Sequence, residues 1–254
     1  MNKRPTVSVL VPVYNEEKTI TEVLNKLSEL SYIDEIIVVN DCSIDQTEKA
    51  ILNLNSPKLK YFKLPTNQGK TAAICKAKEL ATKDVLIIQD ADLEYDPEEL
   101  IDVLNPIFSN RADVVYGSRF LVKKTSRVLY YYHFLANKGL TCLSNLLTNI
   151  NFTDIETCYK AFRREIFQPM PLTSKGFGME VEITAMVSKL PIRIYEVPIS
   201  YYGRTYDEGK KIGKIDGIMA LFYILYYNIL TPFLKTHRDY LTKLKKEIRE
   251  NKLL

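Results

Sequence analysis

Histidine is nearly absent from this chain, whose 254 residues carry only His133 and His237. That excludes a histidine-rich metal centre and leaves little material for a histidine-centred triad. Cysteine is sparse too: Cys42, Cys75, Cys142 and Cys158 stand far apart with no CxxC pair. Neither a zinc site nor a disulfide framework is indicated, and a reduced, cytosolic compartment is expected. A net charge of +4 is too small to mark a nucleic-acid binder, so no nucleic-acid partner is expected. The first residues lack a charged-then-apolar leader, so no signal peptide is expected. Internal repeats and low-complexity linkers are also missing. Gly69-Lys70-Thr71 is not a phosphate-binding G-x-x-x-x-G-K loop, because Leu64 stands where its first glycine belongs.

What is present is apolar patterning, 46% of the chain, enough for one substantial core. Residues 6–13, 35–39, 59–64 and 85–89 read as strands. Between them lie a helical spacing at Ile20, Val23, Leu24, Leu27 and Leu30, a helix capped by Asp45 with Glu48, and a helix over 70–81. This βαβαβαβ alternation predicts an α/β fold, a Rossmann-like, mostly parallel sheet flanked by helices. The second half is less regular. A strand at 113–117 leads through a basic, aromatic stretch (Lys123, Lys124, Arg127, Tyr130, Tyr131, Tyr132) to a helix at 134–147. A strand at 159–162, a helix at 179–189 and a strand at 192–198 complete a mixed sheet in one domain, residues 1–216.

Residues 217–254 form the expected C-terminal appendage. Residues 217–234 carry no charge, yet a spanning helix needs about twenty apolar residues, and Asn228 and Pro232 interrupt this stretch. Its tyrosines and the Lys- and Arg-rich tail from Lys235 suit an amphipathic helix lying on an anionic surface. A packed helix with a solvated tail is the alternative. Peripheral attachment to the cytoplasmic face of a membrane is the expectation.

Ligands in such sheets bind at the carboxyl ends of strands, where this chain places Tyr14, Asn15 and Glu16, then Asn40 and Asp41, then QDADLEYDP at 89–97. The last crowds four carboxylates into seven positions, and like charges at that range raise the cost of ionising one another. Asp96 is explained as an N-cap, with Pro97 at N1 and Glu99 as capping-box partner. Asp90, Asp92 and Glu94 remain. Spaced by two, they share a side of an extended segment and suit a hard divalent cation, Mg²⁺ or Mn²⁺.

VPVYNE at 11–16, VNDCSIDQT at 39–47, NQGK at 67–70, QDAD at 89–92 and GSR at 117–119 together resemble the signature of family 2 glycosyltransferases with the GT-A fold. TDIETCYK at 153–160, EVPI at 196–199 and EGKK at 208–211 resemble the branch that includes dolichyl-phosphate mannose synthases and other polyprenyl-phosphate sugar transferases. The resemblance implies an inverting, metal-dependent transfer of a sugar from a nucleotide-sugar, of GDP-mannose or UDP-glucose type, to a polyprenyl phosphate. It implies that Pro12, Tyr14, Glu16 and Asp41 hold the base and ribose, with Lys70 and Ala91 beside them in the donor site. Asp90, Asp92 and Glu94 would hold the metal on the diphosphate. Arg119 and Arg204 would meet phosphate, Arg127 and Lys210 would assist on the acceptor side, and the loop carrying Lys210 and Lys211 would close over the site. Cys42 departs from the pattern, which often has glycine there; its Cβ restricts the turn.

Other readings remain open at this level. An acceptor hydroxyl would require a general base, with Glu180 or Glu182 as candidates. A non-catalytic nucleotide-sugar-binding accessory subunit would not need the acidic triplet. Nucleotidyl transfer would favour a glycine-rich loop where Pro12-Val13-Tyr14-Asn15 stands. Lys70 serves substrate or starts a helix, Asp45 caps or ligates, and Asp154, Glu156 and Lys160 build the acceptor side or a capped connection.

Overall fold

The computed structural model describes residues 4–121, 127–128, 130–176, 178–205, 214–231 and 233–250. Lys210 and Lys211, with Lys123 and Lys124, lie outside them.

The alternating first half folds as its periodicity predicts: β1 (Val7–Val13), α1 (Ile20–Glu29), β2 (Glu35–Asn40), α2 (Thr47–Leu52), β3 (Leu59–Lys63), α3 (Lys70–Leu80) and β4 (Val85–Ile88). After a short 3₁₀ turn, Pro97–Glu99, come α4 (Leu100–Phe108), β5 (Val114–Ser118), α5 (Tyr131–Thr148), β6 (Lys160–Arg163), α6 (Arg164–Phe167), α7 (Gly178–Val187) and β7 (Ile194–Pro198). Among the described residues these strands form one seven-stranded sheet in the order β3-β2-β1-β4-β6-β5-β7. β6 runs antiparallel between β4 and β5; the other pairs are parallel. The residues entering β6 therefore stand at the carboxyl ends of β4 and β5, where the sheet's ligand edge lies.

Period-two alternation splits the core between the two faces. Val9, Val11, Ile36 and Val38 pack with Ile20, Leu24 and Leu27 of α1 and Val103 and Leu104 of α4. Leu10, Ile37, Leu86 and Ile88 pack with Ala73, Ile74 and Ala77 of α3 and Ile183 and Met186 of α7. Pro12 is tolerated inside the sheet because β1 outruns β4 there: paired residues end at Leu10 and Ile88. Asp96 caps as expected, its Oδ1 accepting the Glu98 N–H at 3.2 Å. Glu99, expected to close a capping box, instead accepts from the backbone N–H and Oγ of Ser200, at 2.6 and 2.7 Å.

The C-terminal segment departs from the expected appendage. α8 (Lys214–Leu225) passes through a π-helical turn, Tyr226–Leu230, and a 60° bend into α9 (Lys235–Arg249). Among the described residues no single helix is long and apolar enough to cross a membrane. α9 is not a free basic arm. Tyr240, Leu241 and Leu244 join the same core as Leu10 and Ile37, together with Ala220 and Ile224 of α8. Burial of each leucine is worth about 1.5–3 kcal/mol, and the Tyr240 hydroxyl donates to the Ile166 carbonyl at 2.7 Å. The opposite face of α8 stays apolar and exposed at Ile218, Leu221, Phe222 and Leu225, as does Phe233 beyond it.

Candidate active site

Three strand ends build one edge. Asn15 leaves β1 with φ +53°; its N–H donates to Ser43 Oγ and its Oδ1 accepts the Ile44 N–H, which stitches the β1 and β2 loops together. Asp41, at the end of β2, accepts the N–H groups of Gln68 and Gly69, each at 2.7 Å, and so sets the entry into α3. Gly69 has φ +87°, a conformation glycine adopts freely. Cys42 has φ +61°, where a Cβ is strained, as the sequence suggested. Tyr14 and Glu16 follow β1 and are half-buried.

β4 delivers the acids. Gln89 is fully buried; its Oε1 accepts from the Tyr159 hydroxyl at 2.6 Å and its amide donates to the Asp90 carbonyl. The expectation of an extended segment, with three acids on one side, does not hold. The chain turns at Ala91 and Asp92, and Leu93 has φ +60°. Asp92 Oδ1 accepts the Glu94 N–H at 3.1 Å, while the Ala91 carbonyl accepts from Thr19 Oγ1. Glu94 turns to other partners: Oε2 accepts from the Tyr201 hydroxyl and Oε1 from the Arg204 N–H, both at 2.9 Å.

The charges around this turn are uneven. Lys70, the first residue of α3, places Nζ 2.8 Å from Asp90 Oδ1, 3.5 Å from Glu180 Oε1 and 3.1 Å from Cys158 Sγ, so it starts a helix and reaches the site as well. Burial opposes ionisation of Asp90, but the Lys70 ammonium, the Cys158 thiol and the Lys160 charge together outweigh it and hold Asp90 below the ordinary range. Asp92 has no such partner. Burial, then the charges of Asp90 and Glu94, push its carboxyl up to about 7. Arg204 spans the mouth, with Nη2 2.6 Å from the Asp92 carbonyl and 3.2 Å from Glu16 Oε2.

Among the described residues, no three His, Cys, Asp or Glu side chains converge on a point that would hold a metal ion. The donor chemistry nonetheless fits one. Mg²⁺ and Mn²⁺ take one or two carboxylates plus substrate phosphates rather than an all-protein cage, and Asp92 carries a charge conflict that a cation relieves. Asp90 and Asp92 are the nearest donors, and each Glu94 oxygen retains a lone pair.

Arg119, expected to meet phosphate, is held from one side by Asp154. Its Nε and Nη2 bind Asp154 at 2.7 and 2.8 Å, its N–H donates to the same carboxylate, and Tyr201 lies under the guanidinium at 5.1 Å. Asp154 is fully buried and the Arg119 side chain only 11% exposed, so two of its donor nitrogens are committed to the fold. Arg127 is exposed; its N–H donates to the Tyr201 carbonyl and Nη1 to that of Gly203, tying it to the segment that carries Arg204.

The two candidate bases part company. Glu182 is buried among the N–H groups of Thr173 and Ser174, the Thr173 hydroxyl and His237 Nε2 at 2.7 Å, which makes it a clasp between α7 and α9. Glu180, in the first turn of α7, reaches the Lys70 ammonium, and its Oε2 is buried with no hydrogen-bond partner. Glu156 stands near: burial and then the Glu180 charge push its carboxyl up to about 8, and its Oε1 is likewise unpartnered. Beneath it, buried Lys160 donates to the Ile155 and Thr157 carbonyls, which joins the connection reading of this run to a place at the site edge. Sequence spacing gave no signal for the Gln89–Tyr159 bond or for the neighbourhood of Lys70, Cys158 and Glu180, because these meet through the antiparallel insertion of β6.

Comparison with known proteins places this chain among sugar-transferring enzymes. The sequence profile of glycosyl transferase family 2 matches residues 8–170. Dolichol-phosphate mannosyltransferase of Pyrococcus furiosus is 29% identical over 215 residues, covering 82% of this chain and 60% of its own length. Undecaprenyl-phosphate mannosyltransferase of Micrococcus luteus is 28% identical, over 83% of this chain and 89% of its own. UDP-N-acetylglucosamine–dolichyl-phosphate N-acetylglucosaminyltransferase of Methanococcus voltae is 27% identical, over 86% and 94%. The crystal structure of Mycobacterium tuberculosis glucosyl-3-phosphoglycerate synthase with Mn²⁺, UDP and phosphoglyceric acid superposes with a TM-score of 0.68 at 20% identity, covering 89% of this chain and 79% of that one. That likeness is one of fold, the GT-A arrangement of a mixed sheet between helices.

Proposed function

The chain belongs to glycosyl transferase family 2 and is a glycosyltransferase, and we propose that it moves a hexose with inversion from a nucleotide-sugar to a polyprenyl phosphate at the cytoplasmic surface of a membrane. The observation that carries this reading is the setting of the acid edge. Asp90 and Asp92, with the cations Lys70 and Arg204, stand beside helices whose outer faces are apolar. α8 packs on the start of α7 so closely that a Cβ on Gly178 would lie 2.6 Å from the Tyr223 ring. Arg127 leads to α5, which packs against α8 and whose first turns expose Tyr131, Tyr132, Phe134 and Leu135. An acceptor with a charged head and a hydrocarbon tail suits both halves of this arrangement.

The chemistry follows from the charges. An oxygen of the acceptor phosphate attacks the anomeric carbon, the bond from that carbon to the diphosphate breaks, and the nucleoside diphosphate leaves with the electron pair. No proton need move, because a phosphate monoester is largely ionised near neutrality, with a second pKa of about 6. A general base is thus dispensable, which agrees with Glu182 being locked in the fold and Glu180 being paired with Lys70. The leaving diphosphate gathers negative charge, and a divalent ion held by Asp90 and Asp92, with Glu94 adjoining, would supply the electrostatic stabilisation of it. Arg204 and Lys70 add fixed positive charge, Glu16 orients Arg204, and Asp41 holds the α3 entry beside the nucleoside. Arg127 is the exposed cation on the acceptor side. Arg119 acts as a strut under Tyr201. The accessory-subunit alternative has no observation in its favour.

Labelled GDP-mannose, UDP-glucose and UDP-N-acetylglucosamine, each incubated with the protein, Mn²⁺ and vesicles containing polyprenyl phosphate, test the reading. An organic-extractable, mild-acid-labile product is expected from one of them. Label found only in protein or glycan would overturn the lipid acceptor.

A further inference from the structure

Sugar selection has so far been given no residues. On the reading that Asp90 and Asp92 seat the donor diphosphate, we propose that Glu156 and Glu180 form the pocket that reads the hydroxyls of the donor hexose. The strand order sets the direction. The loops after β1 and β2, assigned to the nucleoside, lie to one side of β4, and the residues entering β6 lie to the other. A nucleoside over β1 and β2 with its diphosphate at β4 therefore sends the sugar toward β6.

That is where the unsatisfied oxygens are. Glu180 is separated from Asp90 by a single ammonium, that of Lys70, at 3.5 and 2.8 Å. Its side chain is 4% exposed, yet Oε2 meets no donor, and the buried Oε1 of Glu156 meets none either. A buried carboxyl oxygen without a donor is costly, so it marks a place for a ligand that brings one. The hydroxyls of a hexose are such donors, in adjacent pairs. Both carboxyls are held in place: Lys160 braces the Glu156 loop through two carbonyls, and the first turn of α7 fixes Glu180. The unpartnered hydroxyl of buried Thr157 adds a group that donates as well as accepts.

Isothermal titration in the presence of Mn²⁺ tests this on the wild-type chain, Glu180→Gln and Glu156→Gln. The titrants are UDP, UDP-glucose, UDP-N-acetylglucosamine, GDP and GDP-mannose, and the quantity read is the ratio of Kd for each nucleotide-sugar to Kd for its bare nucleotide. Each variant should raise that ratio by up to about tenfold for the preferred donor, the weight of one net hydrogen bond, with the bare nucleotide bound as before. An unchanged ratio, or equal weakening of nucleotide and nucleotide-sugar, overturns the pocket and assigns those oxygens to buried water. A wild type that binds none of these nucleotide-sugars overturns it too, together with the donor assignment. The lipid-linked product is read separately, so the acceptor reading and the pocket fail independently. Should Glu180→Gln fold poorly because Lys70 loses a partner, Glu156→Gln carries the same test, with near-ultraviolet circular dichroism confirming its packing.

Discussion

Asp154→Ala separates a strut from a catalytic cation. In the folded protein Asp154 accepts three hydrogen bonds from Arg119, from Nε at 2.7 Å, Nη2 at 2.8 Å and the backbone N–H at 3.1 Å. The carboxylate is wholly buried and the guanidinium nearly so. Removing the acid strands a buried positive charge and three donors at once, and breaking one side of such a pair costs about 3–5 kcal/mol. For a chain of this length 1 kcal/mol moves Tm by about 2–4 °C, so a fall of about 10 °C is expected by differential scanning calorimetry. Replacing both partners with apolar groups, Arg119→Met with Asp154→Leu, removes the stranded charge and should recover most of that stability. On the proposal that Arg119 is a strut beside Tyr201, turnover in the vesicle assay should return with it. A single variant whose Tm stays within about 2 °C of wild type would refute the energetic argument, given the cost expected for a broken buried pair. A double variant that folds yet does not turn over would refute the strut and return Arg119 to the phosphate.

Asp92→Asn should lose metal-dependent turnover by about two orders of magnitude or more and yet unfold at a higher temperature than wild type in EDTA near pH 8. The sign follows from a carboxyl raised from 3.8 to about 7: its ionisation burdens the folded state fully above about 7, and the burden fades as the pH falls toward 3.8. A calorimetric difference between variant and wild type that does not shrink at lower pH would contradict this. Glu182 is the opposite case, held below its ordinary range because its bonds to His237, Ser174 and Thr173 outweigh burial. Its contribution is present above 4.5 and is lost as the pH falls through the depressed value, so Glu182→Gln should flatten the acid limb of the stability curve. Deleting residues 235–254 should unfold the chain rather than merely release it from vesicles, because α9 fills part of the core. Phe222→Asp with Phe233→Asp, both on exposed positions, should instead lower co-sedimentation with anionic vesicles while Tm is kept.

Much of the fold was legible because its cause is local. Helix and strand periods show in the apolar spacing, Asp96 caps the turn two residues on, and Cys42 shows its strain through its own Cβ. The position of Asp90 and Asp92 at the end of β4 follows from the same pattern, since a strand's edge is where its apolar run stops. The partners of those residues were not legible. Arg119 and Asp154 lie 35 positions apart, and Glu94 meets an N–H 110 positions away. Whether Glu94 faces Asp90 or Tyr201 turns on a left-handed Leu93 that no spacing rule anticipates. Glu180 and Glu182 look equivalent in GMEVE, yet two residues along a helix rotate a side chain by about 200°, and only the packed neighbours say that one meets Lys70 and the other His237. The charges of α9 suggested a surface arm; its buried Tyr240, Leu241 and Leu244 became a core face only once α8 and α7 were there to receive them. Sequence alone determined which elements form and where their ends present acid, because those depend on neighbours within a turn. Tertiary structure decided which acid stays charged, which cation is committed to the fold and which helix face stays exposed, because those depend on strand order and on the antiparallel β6 that brings residues 154–160 to the site.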